Sequence, residues 1–445
     1  MPPRALLAEV AEKVLALSQA DQTEVLITDG DSYLTRFANN TIHQNVGVRG
    51  RSVQVRAVAG RRVGVATANA FDDGDLKRVA GEALTVARHQ PPNPDFVSLP
   101  GPKAAESVDA FDTATAESGP ADRARAVAEV IARAESHGAV ASGALSTEAS
   151  ELFIANSLGV ACSYPSTEAS FTTVVTADDG SGYASGLSWR LGDVDTAALG
   201  ATAVKKALAG KAPRDVPAGA WTVVLEPQAV GELLMYLAYI GFGAKAFQEG
   251  RSFMSGRIGE RITGETITIV DDGLDSAGLP IPFDFEGVPK QRVVLVNEGV
   301  AAGVVYDSLT AAKEGRESTG HALPASSTHG ALPWNLQLAP GDSSLEAMIA
   351  DTERGILVTR FHYTNVAERT RAVLTGMTRD GTFLIEGGRV VAPVKNLRYT
   401  ESVLEAFARA DLIGAERARV PGLLGASVVP AMRIHGFTFT GTTEF

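Results

Sequence analysis

The chain reads as an α+β protein, an N-terminal α/β unit followed by a C-terminal β-rich unit of sandwich or barrel type. Three observations predict this. A helix–β-meander–helix order occurs twice before residue 210. A Pro- and Gly-containing stretch at 210–219 then breaks the periodicity. Beyond it, one apolar helix is followed by strand-like runs punctuated by turn dipeptides.

Residues 5–18 suit an amphipathic helix, and Glu9, Glu12 and Lys13 inside it exclude a secretory apolar core. Alternating β-type segments follow at 23–28, 32–38, 41–48, 52–59 and 62–68, closed by a helix over 74–90. Residues 91–118 are rich in Pro, Ala and Ser and predict a linker or long loop. The order then recurs: helix 120–136, β-type runs through residue 190, helix 195–209. FANN (37–40) and IANS (154–157) fall at matching points, each with Asn suited to a hairpin turn. The predicted organisation is 1–209, with halves of about 1–90 and 119–209, a linker at 210–219, and 220–445.

In the second unit a strand at 221–225 leads into an apolar helix at 229–247, with Pro227 at its first turn. Val230, Leu233, Leu234, Leu237 and Ile240 keep helical spacing, and Met235, Tyr236 and Tyr239 fill much of the rest, so the helix is buried. Strand-like runs follow at 265–271, 291–307, 355–363, 371–394 and 426–439. Asn297–Gly299 and Asp380–Gly381 predict hairpin turns.

Composition excludes several functions. A net charge of −12 argues against a nucleic-acid backbone as partner. The single cysteine, Cys162, excludes an internal disulfide and reads as a small packed residue. The longest uncharged apolar run, 233–244, falls short of the roughly 20 residues a bilayer span needs, so a cytoplasmic protein is expected. No Walker loop, dinucleotide fingerprint or G-x-S-x-G elbow occurs. The seven histidines are scattered and read as loop or surface residues. Asp271, Asp272 and Asp275 lack calcium-loop spacing and read as a solvated turn.

The C-terminal strings carry a resemblance. SFMSGRIGERI (252–262), TIVDDGL (268–274), PFDFEGVPKQRVVLVNEGV (282–300), YDSLTAAKEGRESTG (306–320), ERGILVTR (353–360), FLIEGGRVVAPVKNLRYT (383–400) and MRIHGFTFTG (432–441) resemble, in order, the TldD/PmbA family, as does IANSLGV (154–160). The resemblance implies an N-terminal α/β domain, a β-rich C-terminal domain and dimers enclosing a narrow chamber for unfolded peptide. It also carries an association with modulation of DNA gyrase and maturation of peptide antibiotics.

In the TldD-like branch the central helix bears HExxxH, and a later cysteine completes a zinc site; imidazoles and a thiolate hold the ion and the Glu acts as base on its water. In this sequence the matching positions are Met235, Tyr236 and Ile240, and no cysteine lies in the C-terminal unit. The resemblance therefore implies the PmbA/TldE-like branch: no cofactor in this chain, and zinc in a TldD-like partner subunit of a heteromeric peptidase. Two alternatives stand beside it. One is a homodimeric protein that binds or processes a peptide or small intermediate without zinc. The other is a metal-independent hydrolase using His362 or Ser318. Arg360, Phe361, His362 and Tyr363 are the peptide-binding candidates, because the resemblance implies that this region borders the substrate strand and a peptide can add there as a further strand.

Overall fold

The computed structural model describes residues 4–422 and 425–442; residues 1–3 of the first unit, and 423–424 and 443–445 of the second, lie outside them. The first half of the N-terminal unit comprises α1 (Arg4–Leu17), β1 (Gln22–Ala38), β2 (Thr41–Ala59), β3 (Arg62–Ala68) and α2 (Asp73–His89). The second comprises α3 (Thr113–Ala116), α4 (Pro120–Ser136), β4 (Val140–Asn156), β5 (Ala161–Ala177), β6 (Gly180–Ser188) and α5 (Thr196–Ala209). Among the described residues the strands form one antiparallel sheet in the order β3-β2-β1-β4-β5-β6, so the two meanders join through β1 and β4.

The strands are longer than the sequence predicts. The expected breaks at 29–31 and 49–51 are two sides of one ionic contact. Asp29 is fully buried, and it accepts from Arg49 at 2.8 Å and from Arg51 at 2.9 Å across the β1–β2 pair. Asp-Gly-Asp and Arg-Gly-Arg look like turns, yet opposite charges placed across two strands hold both strands extended. Gly30 continues the strand because β4 comes close: a Cβ there would lie 2.6 Å from that of Ser150.

The two asparagine motifs act differently. Asn39 and Asn40 both take positive φ (51° and 58°) in a two-residue hairpin turn. Asn156 instead uses its side-chain oxygen to accept from the amides of Leu158 (2.9 Å) and Val160 (3.1 Å) in a longer loop. Helices cover one face of the sheet. Val25, Ile27, Val53 and Val55 pack against α1 and α2, and Phe37, Leu145 and Phe171 pack against α4 and α5. On the other face Leu26, Leu152 and Ile154 pack against Phe283 of the C-terminal unit.

That unit comprises β7 (Gly219–Leu225), α6 (Pro227–Gly241), α7 (Ala244–Gln248), β8 (Ile269–Asp271), β9 (Val293–Asn297), β10 (Val300–Ala301), α8 (Ser308–Lys313), β11 (Leu336–Leu338) and α9 (Leu345–Ala350). It continues with β12 (Arg354–Glu368), β13 (Val373–Glu386), β14 (Arg389–Pro393), β15 (Leu397–Ser402), α10 (Val403–Ala408), β16 (Ala410–Pro421) and β17 (Ala426–Thr442). The strand order is β10-β9-β8-β11-β17-β15-β13-β12-β7, with β14 on β13 and β16 on β17. Because β7 also pairs with β17, the strands β17, β15, β13, β12 and β7 close into a ring, the barrel-like alternative of the expected pair. Phe361, Tyr399, Phe437 and Phe439 pack with Val223, Leu225 and the apolar side of α6 in its core.

Two local expectations need correction. The predicted helix 229–247 breaks at Phe242–Gly243, where a side chain at Gly243 would meet the carbonyl oxygen of Ala331 at 2.2 Å. Asp380–Gly381 lies inside β13, not at a hairpin turn: both residues take positive φ (54° and 131°) and stand opposite Thr359 as a bulge. The Asn297–Gly299 segment does form a hairpin turn, with Glu298 and Gly299 at positive φ between β9 and β10.

Candidate functional site

Helix α6 is not apolar all round. Glu232, Met235, Tyr236 and Tyr239 recur at three- and four-residue spacing and are half-buried, whereas Val230, Leu233, Leu234, Leu237 and Ile240 are fully buried. The half-buried stripe meets β12. The Tyr236 hydroxyl donates to the backbone carbonyl of Thr364, and the Thr364 hydroxyl donates to the Glu232 carboxylate. The hydroxyls of Thr364 and Tyr399 lie 3.0 Å apart. Burial raises the Glu232 carboxyl above its ordinary range, against the pull of the Thr364 hydrogen bond and the Arg360 charge. Burial, and then the Glu232 charge, raises the Tyr236 phenol.

This network joins position 236, within the 235–240 stretch that the sequence singles out, to Thr364, the residue that follows the 360–363 candidates. Glu232, Thr364 and Tyr399 escaped the sequence reading. The signal available for Glu232 was its place four and seven residues before Tyr236 and Tyr239; nothing in sequence points to Thr364 or Tyr399.

The four peptide-binding candidates have different placements. Arg360 pairs with Asp380, its Nε 3.0 Å from the carboxylate, and its guanidinium lies 4.2 Å from the centre of the Tyr183 ring. The Phe361 side chain is committed to the core, its ring centre 4.6 Å from that of Tyr399. His362 is half-buried, and burial, then Arg379 and Arg360, hold its imidazole below the ordinary value. Tyr363 is 70% exposed with a φ of 51°, at an irregularity in the β12–β13 register. Beyond Val358, β12 has a strand neighbour only on its β13 side among the described residues.

The donors on α6 do not fit a zinc ion. A thioether, a phenol and a buried sec-butyl group occupy positions 235, 236 and 240, and among the described residues no three His, Cys, Asp or Glu side chains converge as a metal requires. The Ser318 hydroxyl donates to the Tyr306 carbonyl (3.1 Å) and accepts from the Gly320 amide (3.2 Å), apart from any imidazole partner.

His321 and Asp271 correct the sequence reading. Neither is on the surface: both are fully buried, with His321 Nε2 2.7 Å from Asp271 Oδ1. Asp271 also accepts from the Asn335 amide at 2.7 Å, and the Lys290 ammonium lies 3.8 Å away. Burial, and then the Lys290 charge, hold the His321 imidazole below its ordinary value. The paired partners come from segments 50 and 64 residues distant, so local spacing could not reveal them. Asp272 and Asp275 do act as turn residues, capping the amides of Leu274 (3.1 Å) and Ala277 (2.8 Å). His329 lies against Tyr239, with ring centres 5.5 Å apart. Cys162 is half-buried on β5, its sulfur 3.9 Å from the Gly287 carbonyl oxygen.

The described residues contain no helix long and apolar enough to cross a membrane. Comparison with known proteins gives matches along nearly the whole chain. Residues 23–87, 109–211 and 218–441 match the first, central and C-terminal domains of the PmbA/TldA metallopeptidases. A metalloprotease TldD homolog of Haemophilus influenzae is 27% identical over 88% of this chain and 87% of its own length. Metalloprotease PmbA of Escherichia coli O157:H7 is 24% identical over 97% of both chains. The crystal structure of TldE from Thermococcus kodakarensis superposes with a TM-score of 0.89 over 98% of this chain and all of its own, at 21% identity, and so shares the fold. With three domain matches in order and a relative aligned over most of both lengths, the chain belongs to the TldD/PmbA metallopeptidase family.

Proposed function

We propose that this chain is the non-catalytic, TldE/PmbA-like subunit of a heteromeric zinc peptidase that degrades or matures unfolded peptides. One observation carries the reading: the half-buried stripe of α6 presents Met235 and Tyr236, with Ile240 turned into the core, where hydrolysis needs metal ligands and a base. The Tyr236–Thr364–Glu232 network makes that face a structural seam. The one-sided edge of β12 beyond Val358 supports a peptide-guiding role, since an extended peptide can add its backbone there. Zinc and the attacking water belong to the partner, a chain bearing HExxxH and a later cysteine.

The test is to purify the chain alone and with such a partner. The chain alone holds no stoichiometric zinc and cleaves no unfolded peptide. The pair forms a complex whose cleavage is abolished by chelation. Chelator-insensitive cleavage by the isolated chain overturns the proposal.

A further inference from the structure

Where β2 and β3 meet the C-terminal unit they leave a cavity of about 330 Å3, a volume that suits a small molecule. Its walls are largely apolar: Val63 on β3, Phe96 in the loop after α2, Leu309 on α8, and Leu323 and Pro324 in the loop beyond α8. Charged groups from both units line or underlie it. Arg56 donates to Glu286 at 2.9 Å and pairs with Glu24, and Asp307 shares the lining with Arg56 and Glu286. Glu24, Glu286 and Asp307 are 2%, 6% and 8% exposed, so three buried carboxylates stand about one guanidinium. Glu286 has both oxygens engaged, the second by the Ser308 amide at 3.0 Å. Asp307 does not. Its Oδ1 accepts from the amide and the hydroxyl of Thr310, each at 2.7 Å, whereas its Oδ2 has no hydrogen bond and no ion pair among the described residues. Gly330, at a φ of 80°, leaves that oxygen uncovered on one side: a Cβ there would stand 3.6 Å from it. The lysines of the lining are held by other oxygens. Lys313 pairs with Asp95 at 2.8 Å, and Lys245 donates to the Thr328 carbonyl at 2.6 Å. Burial, and then the Glu286 charge, raises the Asp307 carboxyl, as befits a carboxylate short of a cation.

We infer that this cavity binds a primary ammonium group carried on an apolar chain, with the ammonium on Asp307 Oδ2 and the chain against Phe96, Leu309 and Leu323. An ammonium brings the positive charge and the hydrogen-bond donors that the unmet oxygen calls for, and a charge-assisted bond to a buried carboxylate is the strong kind. The apolar walls take the rest of the ligand, by burial of its hydrocarbon. A carboxylate in the same place would face Asp307 and Glu286, and an alcohol would leave the Asp307 charge unbalanced. The same chemistry comes from a free alkylamine or from a lysine side chain of a peptide. This inference is independent of the function proposed above.

Calorimetric titration of the full chain at neutral pH with hexylamine, hexanol and hexanoate tests it. Hexylamine, protonated at that pH, saturates a single site at millimolar concentration or below, and hexanol and hexanoate bind at least tenfold more weakly. Asp307→Asn keeps an oxygen to cap α8 but removes the charge, and it weakens hexylamine binding at least tenfold. Leu323→Trp fills the cavity from a half-buried position and abolishes binding. Asp73→Asn, at a carboxylate 84% exposed on α2, leaves binding unchanged. Acetyl-lysine amide separates the two sources: displacement of hexylamine assigns the site to a peptide's lysine, and its failure to displace assigns the site to a free amine. Failure of hexylamine to bind overturns the inference. So does equal binding of hexanol, or hexylamine binding that survives both Asp307→Asn and Leu323→Trp.

Discussion

Tyr236 donates its phenolic hydrogen to the backbone carbonyl of Thr364, fastening helix α6 to strand β12 at the position where catalytic relatives are implied to carry their base. Tyr236→Phe leaves that carbonyl without its partner. It is expected to cost about 1 kcal/mol, read as a lower urea midpoint with an unchanged slope. An unchanged midpoint would show that the contact contributes nothing net.

The two sides of α6 are expected to respond unequally to histidine. Ile240→His puts an imidazole into a fully buried apolar site and should destabilise by roughly 2–4 kcal/mol. Met235→His, on the half-buried stripe, should cost under about 1 kcal/mol. Thermal unfolding of both variants decides this, and equal costs would contradict the assigned burial.

Gly381→Ala forces a side chain onto a φ of 131°, with its Cβ 2.4 Å from the Thr359 hydroxyl. A loss of about 2 kcal/mol or more is expected, together with faster amide exchange around Thr359 and Arg360. Retained stability would mean that the bulge can re-register.

Glu24 gives a pH signature. It is buried against Arg56 and Glu286, and burial foremost pushes its carboxyl up to about 7 from an unfolded value of 4.5. The folded state therefore holds the proton more tightly. This stabilisation is complete below 4.5 and is lost as pH rises through 7, a change on the order of 3 kcal/mol. Glu24→Gln cannot titrate, so its urea midpoint should fall less than that of the wild type between pH 5 and 8. Parallel falls would assign the slope to another group.

Within β12, residues 361–363 separate packing from recognition. Phe361→Ala empties a core position and should cost about 3–5 kcal/mol. Tyr363→Ala, at a 70% exposed side chain, should leave stability within about 0.5 kcal/mol while weakening binding of an unfolded peptide. Fluorescence anisotropy with a labelled peptide reads the second effect. Unaltered binding would remove Tyr363 from the peptide path.

What sequence could reveal followed from the range of the forces involved. Helix α4 is predicted to the residue, because proline and apolar periodicity are local signals. The strands of the first sheet are foreshortened in the prediction because Asp29, Arg49 and Arg51 look like turn residues until their pairing across the strands is seen. At the candidate site the positions of Met235, Tyr236 and Ile240 were legible, but their surroundings were not. Thr364 lies 128 residues from Tyr236 and 132 from Glu232, and Asp271 meets His321 across 50. Only the closed fold brings such pairs together.

Closure of the C-terminal ring depends on β17, which pairs with β7 on one side of the ring and β15 on the other while also holding β11 and β16. The earliest and latest strands of that unit must therefore find one another across some two hundred residues, at a high entropic cost of loop closure. Each three-stranded meander of the first sheet, by contrast, is knit by near neighbours. During folding the meanders can assemble early and quickly, and the ring is the slow, all-or-none step, exposing apolar strand surface until its final strand arrives.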